Sequence, residues 1–206
     1  MNTKIIKAKG KSVMNQEEFI QKYNEERDKL RETTAILAKL KPEIERELMR
    51  TGELSRRIGE ALNIQDEEYY LAGYYANLGF LGIENFILDK RRINKQEYEL
   101  IKRHPIISAE ILEEKELHRA AQFALYHHEK PNGTGYFRVT NYPKECAYIN
   151  IADRFQSYIT HQIYRPKFTL KEAIDKALKD YRDYIFISKD EIDAIEPVLK
   201  GFYEVV

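Results

Sequence analysis

The segment His127-His128-Glu129-Lys130-Pro131-Asn132-Gly133-Thr134-Gly135-Tyr136 joins two adjacent imidazoles, a carboxylate and a glycine-bracketed turn that ends in tyrosine. Neutral imidazole is a ligand for iron, zinc and related transition metals, and glycine lets a backbone pass close to a ligand. Two further groups have metal-binding chemistry: His104, immediately before Pro105, and Asp153, set among Ile149, Ile151, Ala152 and Phe155. Adjacent residues of a helix point about 100° apart, so His127 and His128 can share one ion only where the chain turns at a helix end. A carboxylate at Asp153 needs a partner, a metal or a nearby cation, because an unpaired buried charge is costly. His118 and His161 read as histidines outside any site.

The elements that must position these groups are helical. Residues 15–40 carry a broken apolar stripe (Phe19, Ile20, Tyr23, Leu30, Ile36, Leu37, Leu40), and Pro42 suits the first turn of a following helix. Residues 66–78 are apolar almost all round, which predicts a central buried helix. Its tyrosines (Tyr69, Tyr70, Tyr74, Tyr75) are read as a core wall rather than a ligand platform. Asn94 with Glu97, Thr169 with Glu172 and Ser188 with Glu191 are capping-box patterns, each opening a helix. His104 is expected to end the first of these helices before Pro105 opens another. His127 and His128 are expected to end the helix that begins near Leu117. Residues 130–145 are a loop by composition, and Cys146 to Thr160 is an apolar helix that carries Asp153.

Composition bounds the function classes. The chain has 206 residues, 43% hydrophobic and 33% charged, with 34 Lys+Arg against 34 Asp+Glu. A zero net charge gives no electrostatic reason to expect nucleic acid or an anionic membrane as partner, whatever local basic patch Arg91, Arg92 and Lys95 make. One cysteine, Cys146, excludes an intramolecular disulfide and points to a reducing, cytoplasmic setting. No secretory signal or membrane span is visible. Nor is there a Gly-x-Ser-x-Gly elbow, a phosphate-binding loop or a dinucleotide fingerprint.

The combined order of motifs resembles the HD-GYP family, all-α metal-dependent phosphodiesterases of the HD superfamily that hydrolyse cyclic di-GMP. The likeness runs from about residue 48 to about residue 180 and rests on four stretches. These are Arg103-His104-Pro105 with Ile106 to Leu112, His127-His128-Glu129 with Gly133-Thr134-Gly135-Tyr136, Ile151-Ala152-Asp153, and Tyr164-Arg165-Pro166. The resemblance implies metal ligands at His104, His127, His128 and Asp153, and ligand contacts at Gly133, Gly135, Tyr136 and Tyr164.

The departures are as informative. Leu54 stands where the family places a metal-binding histidine. In Tyr75-Ala76-Asn77-Leu78-Gly79-Phe80 the His, Asp and Lys of the superfamily signature are replaced by Ala76, Asn77 and Phe80. Asn132 and Phe137 alter the glycine turn, and Tyr148 and Gln162 stand where the family tends to place substrate-binding arginines. A bridged two-metal centre needs a carboxylate that touches both ions. Asn77 offers a neutral amide instead, and Leu54 and Ala76 offer no lone pair. One implied metal site would keep only Asp153; the other would keep His104, His127 and His128 as a mononuclear set.

The expected fold is therefore an all-α, HD-domain-like helical bundle with extra N-terminal and C-terminal helices. Residues 1–45 are expected to form a helical appendage or dimerisation hairpin, and residues 46–206 the degenerate HD-GYP-like domain. The expected function is a catalytically degenerate binding or scaffolding module in signalling, with at most one transition-metal ion (iron, manganese or zinc). Its expected partners are a signalling protein or a second copy of the chain. The alternative is a mononuclear metal-dependent phosphohydrolase of altered substrate, with Glu129 or Asp153 handling the proton.

Overall fold

The computed structural model describes residues 42–88, 92–161, 165–184 and 186–204, together with the isolated positions 21 and 39. The N-terminal appendage expected over residues 1–45 falls almost wholly outside them. The first described helix, α1 (Pro42–Ala61), runs unbroken through the expected boundary at 45/46. Pro42 occupies its first turn, where a missing N–H costs no hydrogen bond.

Among the described residues the chain is helical throughout its regular structure. After α1 come α2 (Glu67–Tyr75), a 3-10 turn (Leu78–Gly82), α3 (Asn85–Leu88), α4 (Lys95–Ile101), α5 (His104–Glu113) and α6 (His118–Tyr126). Then follow α7 (Glu145–Ile159), α8 (Leu170–Tyr184) and α9 (Lys189–Tyr203). The order matches the all-α bundle expected from the periodicity. The tyrosine-rich stretch is indeed a core wall: Tyr69, Tyr70, Tyr74 and Tyr75 are all buried. Tyr69 stays in the core by donating its hydroxyl to the Ser55 carbonyl at 2.9 Å. α1 and α2 cross closely because Gly52 lies directly on the Tyr74 ring, where any Cβ would overlap it.

α7 is the central helix. Ten of its residues, Cys146 to Ala152 and Phe155, Gln156 and Ile159, are buried, and it packs against α1 on one side and α8 on the other. The capping boxes at Asn94 and Ser188 form as read, with both reciprocal bonds in place. At Thr169 the Glu172 carboxylate accepts the Thr169 N–H at 3.0 Å and its hydroxyl at 2.8 Å. One expectation is corrected: His104 opens α5 instead of ending α4. The preceding helix closes at Ile101, and Pro105 sits in the first turn of α5, where its fixed φ is already helical. No helix among the described residues is long and apolar enough to cross a membrane.

Candidate metal centre

Two helix termini bring the imidazoles together. His104 enters from the start of α5, while His127 caps the end of α6 and His128 lies just past it. One ring nitrogen from each of His104, His127 and His128 lies within 4.8 Å of the others. His104 and His127 are fully buried, and His128 keeps some exposure.

Backbone carbonyls fix two of the three tautomers. His104 Nδ1 is 2.9 Å from the Ile101 carbonyl, and His127 Nδ1 is 2.6 Å from the Ala124 carbonyl. A carbonyl only accepts, so each Nδ1 carries the proton and each Nε2 presents a lone pair. His128 Nε2 lies 3.1 Å from His104 Nε2. Burial pushes all three imidazoles down, His127 to about 4, and the neighbouring imidazoles add to the effect for His104 and His128. The rings are therefore neutral at physiological pH, the form that binds a metal. Asn150 holds the backbone beneath them: its Nδ2 donates to the His127 carbonyl at 2.7 Å, and its Oδ1 accepts the buried Tyr181 hydroxyl at 2.8 Å. Three neutral imidazoles whose ring nitrogens converge, two of them with the outer nitrogen bonded to a carbonyl, are a donor set that fits one transition-metal ion.

Aromatic rings wall the cluster. Phe80 stacks on His104 at 3.9 Å with 20° between planes. Tyr136 lies over His128 at 4.3 Å and 30°. Phe80 is aimed by a clamp between the 3-10 turn and α5. The Ser108 hydroxyl accepts the Gly79 N–H and donates to the Ala76 carbonyl, both at 2.7 Å. Gly79 lies so close to the His104 backbone that any side chain there would overlap it.

The neighbouring half, where a second ion would need ligands, is built differently. Leu54 and Ala76 are 0% exposed and packed into the core. Asp153 does not join the imidazole group. It finds its partner in Asn77, whose Nδ2 donates to the Asp153 carboxylate while its Oδ1 lies 3.3 Å from His127 Nε2. An amide, rather than the metal or cation anticipated, thus stands against the carboxylate. Burial pushes Asp153 up to about 6, against the pull of the Asn77 bond and of Arg154.

The remaining expected residues divide. Glu129 is 1% exposed and accepts two loop N–H groups, from Phe137 at 2.8 Å and Val139 at 2.7 Å. Each of its oxygens accepts one of these loop N–H groups. Gly133 has φ 70, the left-handed conformation for which glycine is suited, and Gly135 lies against Glu129. Tyr164 and Gln162 lie outside the described residues. Tyr148 donates its hydroxyl to Glu191 at 2.8 Å, joining α7 to α9. His118 is exposed and pairs with Glu113.

The sequence gives weak warning of Ser108 and Asn150 as site residues, and although it marks Asn77 as an altered signature position, it gives no sign of its partner. Each acts through a partner at least 23 positions away. A small polar residue inside an apolar helix stretch is the signal that could have found the first two.

Comparison with known proteins gives a consistent result. The HD domain family profile matches residues 31–185. A cyclic di-GMP phosphodiesterase of Thermotoga maritima is 29% identical over 168 residues, covering 76% of this chain and 46% of the relative. The cyclic di-GMP phosphodiesterase response regulator RpfG of Xanthomonas campestris is 26% identical over 137 residues, covering 62% of this chain and 36% of the relative. The chain therefore spans less than half the length of these two curated relatives. Among solved structures, the HD domain of the phosphodiesterase PgpH of L. monocytogenes superposes with a TM-score of 0.60 at 17% identity, covering 80% of this chain and 93% of that one. At that identity the likeness speaks for the fold alone.

Proposed function

The chain belongs to the HD domain family, in its HD-GYP branch, and from that membership we propose that it is a catalytically degenerate member. In this reading it serves signalling by binding, as a scaffold that keeps one partial metal site on His104, His127 and His128. The observation that carries the proposal is the contact between Asn77 and Asp153. The residue at the bridging position is an amide, and its donor is turned onto the Asp153 carboxylate. With Leu54 and Ala76 packed as core, a second ion has no ligand set among the described residues. When bound at the three imidazoles, a single ion would supply Lewis-acid polarisation of a phosphoester oxygen. Phe80 makes one wall of that position apolar, and Asn77 brings it no charge.

A second reading has one observation in its favour. Asp153, pushed up to about 6, is suited to exchanging a proton near neutrality. A mononuclear phosphohydrolase of altered substrate would use it in that role, with the imidazoles as ligands. One assay series separates the readings. Protein loaded in turn with iron, manganese and zinc is given cyclic di-GMP and a panel of simple phosphodiesters. The degenerate reading expects no turnover above the metal-free control on any of them. Cyclic di-GMP hydrolysis at an enzymatic rate overturns both readings. Turnover confined to another phosphodiester, and lost in Asp153→Asn, establishes the second.

A further inference from the structure

The three imidazoles are not held in the same way. His104 and His127 are each oriented by a backbone carbonyl at Nδ1. Among the described residues His128 makes no such bond; its only hydrogen-bond-range neighbour is the His104 ring. What lies against His128 instead are two rings, His127 at 4.0 Å and 42° and Tyr136 at 4.3 Å and 30°. Of the two, Tyr136 alone comes from the loop, so the loop supplies one of the surfaces that orient the third ligand.

That loop is built on Glu129. The two N–H groups its carboxylate accepts, from Phe137 and Val139, lie just after Tyr136 in the chain, so the bonds pin the segment that carries the ring. The loop also crosses directly over Glu129. A Cβ on Gly135 would come within 2.6 Å of both the Cα and Oε2 of Glu129, so only glycine lets the strand of chain sit there. Gly133 at φ 70 and Arg138 at φ 62 supply the two left-handed turns on either side of Tyr136. A buried carboxylate held by two peptide N–H groups is a firm anchor, because charge-assisted bonds are stronger than neutral ones.

We propose that Glu129 is a positioning residue, which seats Tyr136 on His128 and thereby orients the third imidazole of the cluster. This rests on the three-imidazole reading of the site. Glu129 does its work from the loop side and exchanges no proton with a bound ligand. The residue that directly follows the two imidazoles in sequence therefore folds the chain back over them.

The test uses the whole chain and the variants Glu129→Gln and Tyr136→Leu. A glutamine can accept one of the two N–H groups, but its own NH2 then faces the other. Three readouts are compared: trypsin cleavage at Arg138–Val139, whose N–H is one of the two Glu129 holds; the imidazole carbon–proton resonances of the metal-free protein; and Co(II) affinity. Expected in Glu129→Gln is a newly cleavable Arg138–Val139 bond. The His128 resonance should shift toward its position in Tyr136→Leu while those of His104 and His127 stay, and Co(II) affinity should drop about tenfold in both variants, as for other outer-sphere partners of metal ligands. A Glu129→Gln protein that opens the loop yet keeps the wild-type His128 resonance overturns the proposal. Should that variant not fold, Gly135→Ala, which keeps the carboxylate but blocks its seat, is read by the same signals. A wild-type protein that takes up no Co(II) would count against the metal reading alone, since the His128 resonance still decides the positioning in metal-free protein.

Discussion

The imidazole half of the site and the Asn77–Asp153 half lie side by side, yet they are built in opposite ways. On one side a ring nitrogen from each of His104, His127 and His128 lies within 4.8 Å of the others, and carbonyls of the helix ends fix two of the rings. On the other side each departure from the family pattern has become a packing group. Leu54 and Ala76 are core, Asn77 has turned its amide donor to Asp153, and Phe80 lies flat on His104. The difference teaches that imidazoles stay gathered where backbone geometry holds them. Where a ligand position lies inside a helix–helix contact, an apolar replacement is absorbed by the core and adds to it.

Rebuilding the second half is the most severe way to break the comparison. Leu54→His with Ala76→His puts two polar rings at positions with 0% exposure. Without metal the pair should lower stability by about 3–5 kcal/mol, from lost apolar packing and unsatisfied ring nitrogens. If the site geometry persists, Mn(II) or Zn(II) should recover much of that, because a ligand that binds only the folded state stabilises it. Thermal unfolding with and without metal measures both numbers. Failure of any metal to raise the midpoint would mean that the half is remodelled rather than vacated of ligands.

The converse experiment attacks the retained half. His127→Ala removes a fully buried imidazole and leaves the Asn150–His127 carbonyl bond in place. Metal uptake should drop by more than about 100-fold, beyond the range seen for outer-sphere partners. Elemental analysis of untagged protein beside its variant checks it. Phe80→Lys should act more mildly, forfeiting about 1 kcal/mol of ring stacking on His104. A shift in the urea midpoint at constant m would read it. No shift at all would show that Phe80 fills space without holding His104.

These contrasts were unevenly visible in the sequence. The helical period, the capping boxes and the glycine turn are local signals, so the helices and the segment from His127 to Tyr136 could be read directly. That His104 would meet His127 and His128 came from the family pattern, not from spacing, and its place at the start of α5 was misjudged because a proline marks a boundary without saying on which side its neighbour belongs. The pairing of Asn77 with Asp153 spans 76 positions, and that of Tyr148 with Glu191 spans 43. Contacts at such separations depend on how α2, α7 and α9 pack, which no local pattern records. Glu129 was legible as a carboxylate beside two histidines, but its role depends on where the loop returns.

The position of Tyr148 sharpens the comparison furthest from the imidazoles. The family pattern suggests an arginine there for substrate, whereas here the phenol donates to Glu191, which also accepts from Lys144 Nζ at 2.6 Å and from the Ser188 N–H at 2.6 Å. Burial works against the charge on Glu191, but these donors outweigh it and hold the carboxyl down at about 2, against an ordinary 4.5. A carboxylate depressed in the folded state contributes stability that is complete above its ordinary value and is lost as pH falls toward its folded one. Glu191→Gln keeps the shape but not the charge. It should cost about 1 kcal/mol at pH 7, the order of a helix-cap loss. The gap from wild type should then begin to close below about pH 4.5 and be nearly gone by about pH 2. Urea unfolding of both proteins at pH 7 and pH 3 reads the gap. A gap that stays constant with pH would mean that the Tyr148–Glu191 contact acts through shape alone, in contrast to the polar pairing of Asn77 with Asp153.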